Sequence, residues 1–335
     1  MAKIKFQSFA ARLTGPMNVW RALGSLNAAN IQAEANRGFT IALVGEPQHT
    51  TVMESRLRLE TLRPLDGSTG PPDLGQYVQK FLSAEEVPAD HIVLDCSILP
   101  GNEETLAETL AQIVEKNGSV RISLARHIPA FRPAVCSYLI YEASWQNARI
   151  AVFSSLPAVI PITAILAPAA ALGDMVVLTR NQGVLLLKLA AVYGHEADVK
   201  ACMTELMPIV GGAFGWRAVA RELVGMVPGG IGIVVKGSIA FAGTYTVGKA
   251  AAVFYSTGHA LSKNRLDRIY SEAYKNTKVK IGALMQQRAS KSRPLVHAGP
   301  ETASEASSTV GVSQHGTLGD AHERSDDTYR ELTNT

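Results

Sequence analysis

The stretch Gly45-Glu46-Pro47-Gln48-His49-Thr50-Thr51-Val52 comes nearest to a recognised chemistry, the holding of a phosphate. Such a loop follows the spacing G-x-x-x-x-G-K-[ST]: glycines let backbone N–H groups close on the ligand, a lysine neutralises β/γ charge, and a hydroxyl holds magnesium. Gly45 supplies the first position. Thr50 then stands at the second glycine, Thr51 at the lysine and Val52 at the hydroxyl. Thr50 carries a Cβ where backbone must approach, Thr51 brings no cation, Val52 offers no metal ligand, and Glu46 adds repulsion. The expectation is a lost or strongly altered phosphate site. Shortening the loop by one residue returns Thr51 to the metal position but does not restore the cation.

The elements that must position this loop follow from hydrophobic patterning. Phe39 to Val44 is an apolar, β-branched run ending at Gly45, as expected for a parallel strand buried on both faces. Residues Asn18 to Asn36 read as an amphipathic helix leading into it. Further strands are expected at His91 to Ser97, Val120 to Ala125 and Arg149 to Ser155, with helices around Glu103 to Lys116 and Pro133 to Gln146. Strand–helix alternation implies a mostly parallel sheet. Arg56 to Tyr77 contains DGSTGPPDLG, a turn-rich sequence expected to form an exposed loop.

The character changes after Ser155. Leu156 to Gly173 has no charge until it reaches Asp174, and Leu223 to Gly248 carries one internal cation, Lys236, among many glycines and alanines. That length is enough to cross a bilayer, and the same small residues serve close helix packing in lipid or in a soluble hairpin broken at Pro228-Gly229-Gly230. From Lys263 to Arg293 nine Lys or Arg residues stand against Asp267 and Glu272. A helix this basic suits an anionic cytoplasmic leaflet, and tips the reading toward membrane association. From Pro294 onward polar residues dominate without apolar periodicity, which predicts a disordered tail. The expected domains are therefore residues 1–155, 156–293 and 294–335.

Composition narrows the function classes. A chain of 335 residues, 47% hydrophobic, can bury a large core. A net charge of +3 and 6% aromatic residues do not announce nucleic acid, and Tyr270 and Tyr274 alone make no base-stacking platform. Cys96, Cys136 and Cys202 lie far apart without metal-ligand spacing, which fits reduced thiols. His195-Glu196-x-Asp198 groups three polar side chains with no second cluster, so a solvated turn is expected there rather than a metal site. His49, Glu46 and Asp95 could meet at the strand ends, an unspecific grouping. Ser123, Ser154 and Ser155 lack a nucleophile-elbow motif.

Leu178 to Gly194 (LTRNQGVLLLKLAAVYG) and Met226 to Tyr255 resemble a bacterial domain family of unknown function. Its members, including YcjF-like inner-membrane proteins, are often fused behind a GTPase domain. The likeness rests on Asn181-Gln182, Tyr193-Gly194, Pro228 followed by glycines, and Gly243-Thr244-Tyr245 ahead of Gly248, and spans roughly Leu156 to His259. Asn18 to Gly45 looks like the helix and first strand of the GTPase domain in such fusions. The resemblance implies an α/β, P-loop GTPase-like parallel sheet followed by a mostly helical hydrophobic domain. It also implies a remnant nucleotide site: Gly45, Thr50 and Thr51 at the loop, Asp95 at the magnesium-orienting position, Ser154 and Ser155 at the base-closing loop. Ile98 replaces the glycine that should follow Asp95, and Ser123 to His127 carries no Asn-Lys-x-Asp for guanine.

The resulting expectation is a pseudo-GTPase with no catalytic residues, metal or cofactor, acting as a scaffold or partner-binding protein on the cytoplasmic side of the cell membrane. A cytoplasmic location is the alternative. The opposing expectation is an active or nucleotide-gated NTPase that binds GTP and magnesium and borrows a cation such as Arg56 or Arg126.

Overall fold

The computed structural model describes residues 28–59, 74–97, 103–153, 167–202 and 231–291, together with 204 and 206. The chain is a mixed α/β protein with a small parallel sheet and a mostly helical remainder. Helix α1 (Ala28–Ala35) leads to strand β1 (Ile41–Val44), whose four residues are all buried. The expected helix over 18–36 is thus described from residue 28, and its first part lies outside the described residues. β1 is the central strand, parallel to β2 (Val78–Phe81) on one side and β3 (Ile92–Asp95) on the other. Val44 is level with Phe81 and Asp95, so Gly45, Leu82 and Cys96 emerge together at one end of the sheet.

β2 has no counterpart among the expected strands. Val-Gln-Lys-Phe shows no apolar alternation because it is an edge strand with Gln79 and Lys80 both exposed. The link from β2 to β3 has a short 3-10 turn, Ala84–Glu86, capped by Ser83, in place of a crossover helix.

Helix α2 (Pro47–Leu59) follows β1, and α3 (Glu103–Lys116) forms as expected. Two expected strands are corrected. Val120 to Ala125 is replaced by helix α4 (Arg121–His127), in which Ile122, Ser123, Leu124 and Ala125 are buried in succession. The alternating apolar residues favour a strand locally, but burial around most of the helix circumference accepts the same residues. Arg149 to Phe153 is the end of helix α5 (Arg132–Phe153) rather than a strand. Its buried Ile140, Ser144, Asn147, Ala148 and Ala151 follow i, i+4, i+7, i+8, i+11, so one helical face runs unbroken through the β-branched stretch.

Helices α6 (Ala167–Val192), α7 (Ile231–Thr257) and α8 (Lys263–Lys291) complete the described elements. α7 packs most extensively against α5 and α8, and α6 packs on both α5 and α7. Helices on the two sides of residue 155 therefore contribute to one buried cluster, which includes Leu43, Phe131, Ile140, Leu185, Ala242 and Tyr255. A Cβ on Gly237 would lie 2.8 Å from Val152 Cγ2 and 2.9 Å from Ile281 Cδ1; one on Gly248 would lie 2.7 Å from Ile140 Cγ1. These two glycines let α7 approach its neighbours closely. The expected hairpin break at Pro228 to Gly230 lies outside the described residues, and Ile231 to Gly248 is continuous helix. Among the described residues no helix is long and apolar enough to cross a membrane.

One polar cross-link ties three of these helices. Asn147 Nδ2 on α5 donates to Thr244 Oγ1 on α7 at 2.8 Å, Asn181 Nδ2 on α6 donates to Asn147 Oδ1 at 2.9 Å, and Gln182 Nε2 donates to Thr244 Oγ1 at 3.2 Å. Asn147 and Thr244 are fully buried, so each amide and hydroxyl here replaces water with a specific partner.

Candidate functional site

Ligands of open parallel sheets sit beyond the carboxyl ends of the strands, here the end marked by Gly45, Phe81 and Asp95. Gly45 has φ of +142°, a conformation that L side chains rarely adopt, and its N–H donates to the Phe81 carbonyl at 3.0 Å. A Cβ there would meet Cys96 Cβ at an ordinary 3.6 Å, so backbone conformation rather than space selects the glycine. Only Glu46 separates it from α2. Pro47 suits the first helical position, where its missing N–H costs nothing and its fixed φ matches the helix.

This early helix start commits backbone donors next to Gly45. His49 and Thr50 N–H already donate to the Glu46 carbonyl, at 2.9 and 3.1 Å, where an intact loop would keep such groups open for phosphate oxygens. The hydroxyls are engaged as well. Thr50 is buried and donates to the Pro47 carbonyl at 3.1 Å, and Thr51 Oγ1 donates to the same carbonyl at 2.7 Å. The Glu46 carboxylate accepts from Gln48 Nε2 at 2.8 Å, and Val52 is exposed.

One cation beside Thr51 is not revealed by the sequence. Lys80, on β2, points its ammonium at Thr51 Oγ1, 3.4 Å away, and pairs with Glu54 Oε2 at 2.8 Å. Glu54 also accepts from Arg58 at 2.7 Å. Hydrogen bonds from Lys80 and then Arg58 hold the Glu54 carboxyl below its ordinary range. Lys80 is thirty-five residues beyond Gly45 and on a strand without apolar alternation; the parallel pairing of β1 with β2 is what brings it alongside.

Asp95 is exposed at the end of β3 and turns back on its own chain. Its Oδ1 accepts from Ser97 N–H at 2.9 Å and from Ser97 Oγ at 2.6 Å, a local turn closure. Beside it, burial first and the Asp95 charge second push the Cys96 thiol up to about 11. Gly45, Thr50, Thr51 and Asp95 thus share the carboxyl end of the sheet. Ser154 and Ser155 lie outside the described residues, and a helix rather than a strand leads toward them.

The two borrowed cations differ in placement. Arg56 is half-buried on α2, and among the described residues its buried Nη1 has no hydrogen-bond partner. Arg126 Nη1 donates to the Ala191 and His195 carbonyls, at 3.1 and 3.0 Å. It also lies by Tyr77, which precedes β2, at the amino ends of the strands and away from Gly45. Burial lowers its guanidinium from the ordinary value.

The amino end of the sheet carries an aromatic stack instead. Tyr77 stacks on Phe39 and on His127, with centroids 5.1 and 4.7 Å apart, and Tyr77 Oη lies 2.9 Å from His127 Nδ1. Ser123 donates its hydroxyl to the Arg37 carbonyl at 2.6 Å, a structural link. His195 packs its ring on Tyr255, and Asp198 Oδ1 accepts from Ala201 N–H at 2.7 Å. Among the described residues no group of three His, Cys, Asp or Glu side chains could hold a metal. All three cysteines are buried and outside any disulfide.

A magnesium-bound triphosphate does not fit the groups at the carboxyl end. The His49 and Thr50 N–H groups, both threonine hydroxyls, the Glu46 carboxylate and the Lys80 ammonium there each have a protein partner. Comparison with protein-family models, with curated proteins and with solved structures gives no match to this chain.

Proposed function

We propose that this chain is a GTPase-like protein without phosphoryl-transfer activity, serving as a partner-binding scaffold at the cytoplasmic face of a membrane. The observation that carries the reading is the single residue between Gly45 and α2. With the helix starting at Pro47, the His49 and Thr50 N–H groups are hydrogen-bonded within the first turn, to the Glu46 carbonyl. Phosphoryl transfer depends on positioning and on electrostatic stabilisation, and neither is supplied by an end of the sheet where Lys80 is paired with Glu54 and where Glu46 and Asp95 add further carboxylates. The parallel sheet with β1 at its centre, and the helical half carrying Asn181-Gln182 and Gly243-Thr244-Tyr245, support the kinship with GTPase fusions that the sequence suggests.

The test is calorimetric titration of GTP, GDP and ATP, with magnesium, into the full chain. The expected result is no binding heat and no turnover. Micromolar binding with phosphate release would overturn the reading.

Lys80 favours a second reading, a nucleotide-gated protein. Its ammonium is the one basic group described next to Thr51, and release from Glu54 would free it for an anion. On that reading nucleotide binds with magnesium, and both Lys80→Ala and Asp95→Ala abolish binding.

A further inference from the structure

We infer that the outer face of α8 is a docking surface for an anionic lipid bilayer, engaged from one side without a spanning helix. The inference rests on the membrane reading above and specifies which surface makes the contact.

Leu266, Ala273, Thr277 and Ile281 are buried and seat α8 on α7. The opposite face is exposed. Arg268 and Lys275 lie opposite the buried row, Arg265 and Lys278 flank them, and Lys263 and Lys280 are exposed nearer to it, against two exposed acids, Asp267 and Glu272. Among the described residues none of these six cations is held in an ion pair. Lys278 leans on the Tyr274 ring, 6.0 Å from its centroid. Six unpaired cations on one rigid rod make a field complementary to a negatively charged surface.

Two features select a bilayer over nucleic acid. Val279 is 73% exposed, and with Arg268, Lys275 and Gln286 it follows i, i+7, i+11, i+18, one line along the outer face. Leu284, 53% exposed, lies about 140° around the helix from Val279 and is not part of this line. An exposed valine set among cations matches the boundary between headgroups and acyl chains. The aromatic residues do not match bases. Tyr270 and Tyr274 stack on each other, with centroids 6.4 Å apart and planes 8° from parallel, so they form no open platform.

The experiment is co-sedimentation of the full chain with phosphatidylcholine vesicles, with and without phosphatidylglycerol. The expected result is pelleting with anionic vesicles alone, reduced at least about tenfold on raising salt from about 0.1 M to about 0.5 M. Arg268→Glu with Lys275→Glu should weaken binding by at least about tenfold, and Val279→Asp by about threefold. All three positions are exposed, and unchanged thermal melting of the variants shows that the fold is kept. Equal binding to neutral vesicles overturns the inference. Retention of anionic binding by the double variant overturns it too, but leaves membrane association standing through another surface. No pelleting with either vesicle overturns both the inference and the membrane part of the proposed function. A single-stranded RNA bound more tightly than the anionic vesicles would assign the face to nucleic acid instead.

Discussion

The carboxyl end of the sheet and the interface of α5, α6 and α7 both collect polar side chains, and they use them in opposite ways. At the sheet end the partners are mostly close in sequence: Thr50 and Thr51 with Pro47, Gln48 with Glu46, Ser97 with Asp95. Between the helices they are distant: Asn147 with Thr244 and Asn181, Gln182 with Thr244. Short-range bonds at an exposed end close turns and leave water to satisfy the rest. Long-range bonds inside an apolar interface fix which helix faces which, because any sliding strands a buried amide. Polar residues therefore mark packing specificity in the helical half and local chain closure at the sheet, the reverse of what motif spacing alone suggests.

The helical side of this contrast should yield the largest effects. Asn147→Leu removes the acceptor of Asn181 and a donor to Thr244 in a dry interface, and should destabilise the fold by about 3 kcal/mol in denaturant unfolding. Pairing it with Thr244→Val should cost less than the two single changes added together, since both act on one network. Strict additivity would show that the amides are not coupled and would dissolve the contrast.

Glycines in α7 sharpen it next. Gly248→Ala brings a methyl to within 2.7 Å of Ile140 Cγ1 and 3.0 Å of its Cγ2. Ile140 is buried and β-branched, so it has little freedom to move away, and the net loss should be about 2 kcal/mol. Gly243, on the same helix, has open space where its Cβ would be. Gly243→Ala should gain up to about 1 kcal/mol from helix propensity. Opposite signs from one substitution on one helix test the packing directly, by thermal or denaturant melts.

Legibility in the sequence followed how far each element departs from local pattern. β1, β3 and α3 were readable from their apolar residues, and α8 from its run of cations. α4 and the end of α5 were not, since Val120 to Ala125 and Arg149 to Phe153 carry β-branched alternation that packing against other helices overrides. β2 was missed because an exposed edge strand leaves no apolar signature. At the site, the missing cation in Gly45 to Val52 was legible from residue types alone. The start of α2 at Pro47 has a signal in the sequence, the proline itself, but Lys80 has none, because only strand pairing brings it to Thr51. In the helical half, Asn181, Gln182 and Thr244 were singled out by the family resemblance alone, while their meeting with Asn147 required the fold.

The amino end of the sheet extends the contrast to pH. Burial first, and then the neighbouring Arg126 charge, hold the His127 imidazole below its ordinary value of 6.5, against a raising contribution from the Ala35 backbone. The native protein therefore binds fewer protons here than the unfolded chain. The stability this gives is complete above about pH 6.5 and is lost as pH falls below it, with the ring left to charge against burial. Chemical unfolding followed from neutral to mildly acidic pH should show that decline, and His127→Gln should flatten it. A decline of unchanged slope in the variant would move the cause elsewhere.

The smallest effect belongs to the Lys80–Glu54 pair, and it bears most on function. Both side chains are partly solvated, 42% and 24% exposed, so screening limits the pair to about 0.5 kcal/mol, and Glu54→Gln should barely move the melt. The same substitution removes the carboxylate that occupies Lys80 and leaves the ammonium beside Thr51 with no counter-charge. If the closed first turn of α2 is what excludes phosphate, GTP titrated into Glu54→Gln still gives no heat, because His49 and Thr50 N–H remain hydrogen-bonded to Glu46. Binding that appears in Glu54→Gln and vanishes again in Glu54→Gln with Lys80→Ala would show that charge pairing, rather than backbone geometry, keeps the sheet end shut, and the nucleotide-gated reading would replace the scaffold.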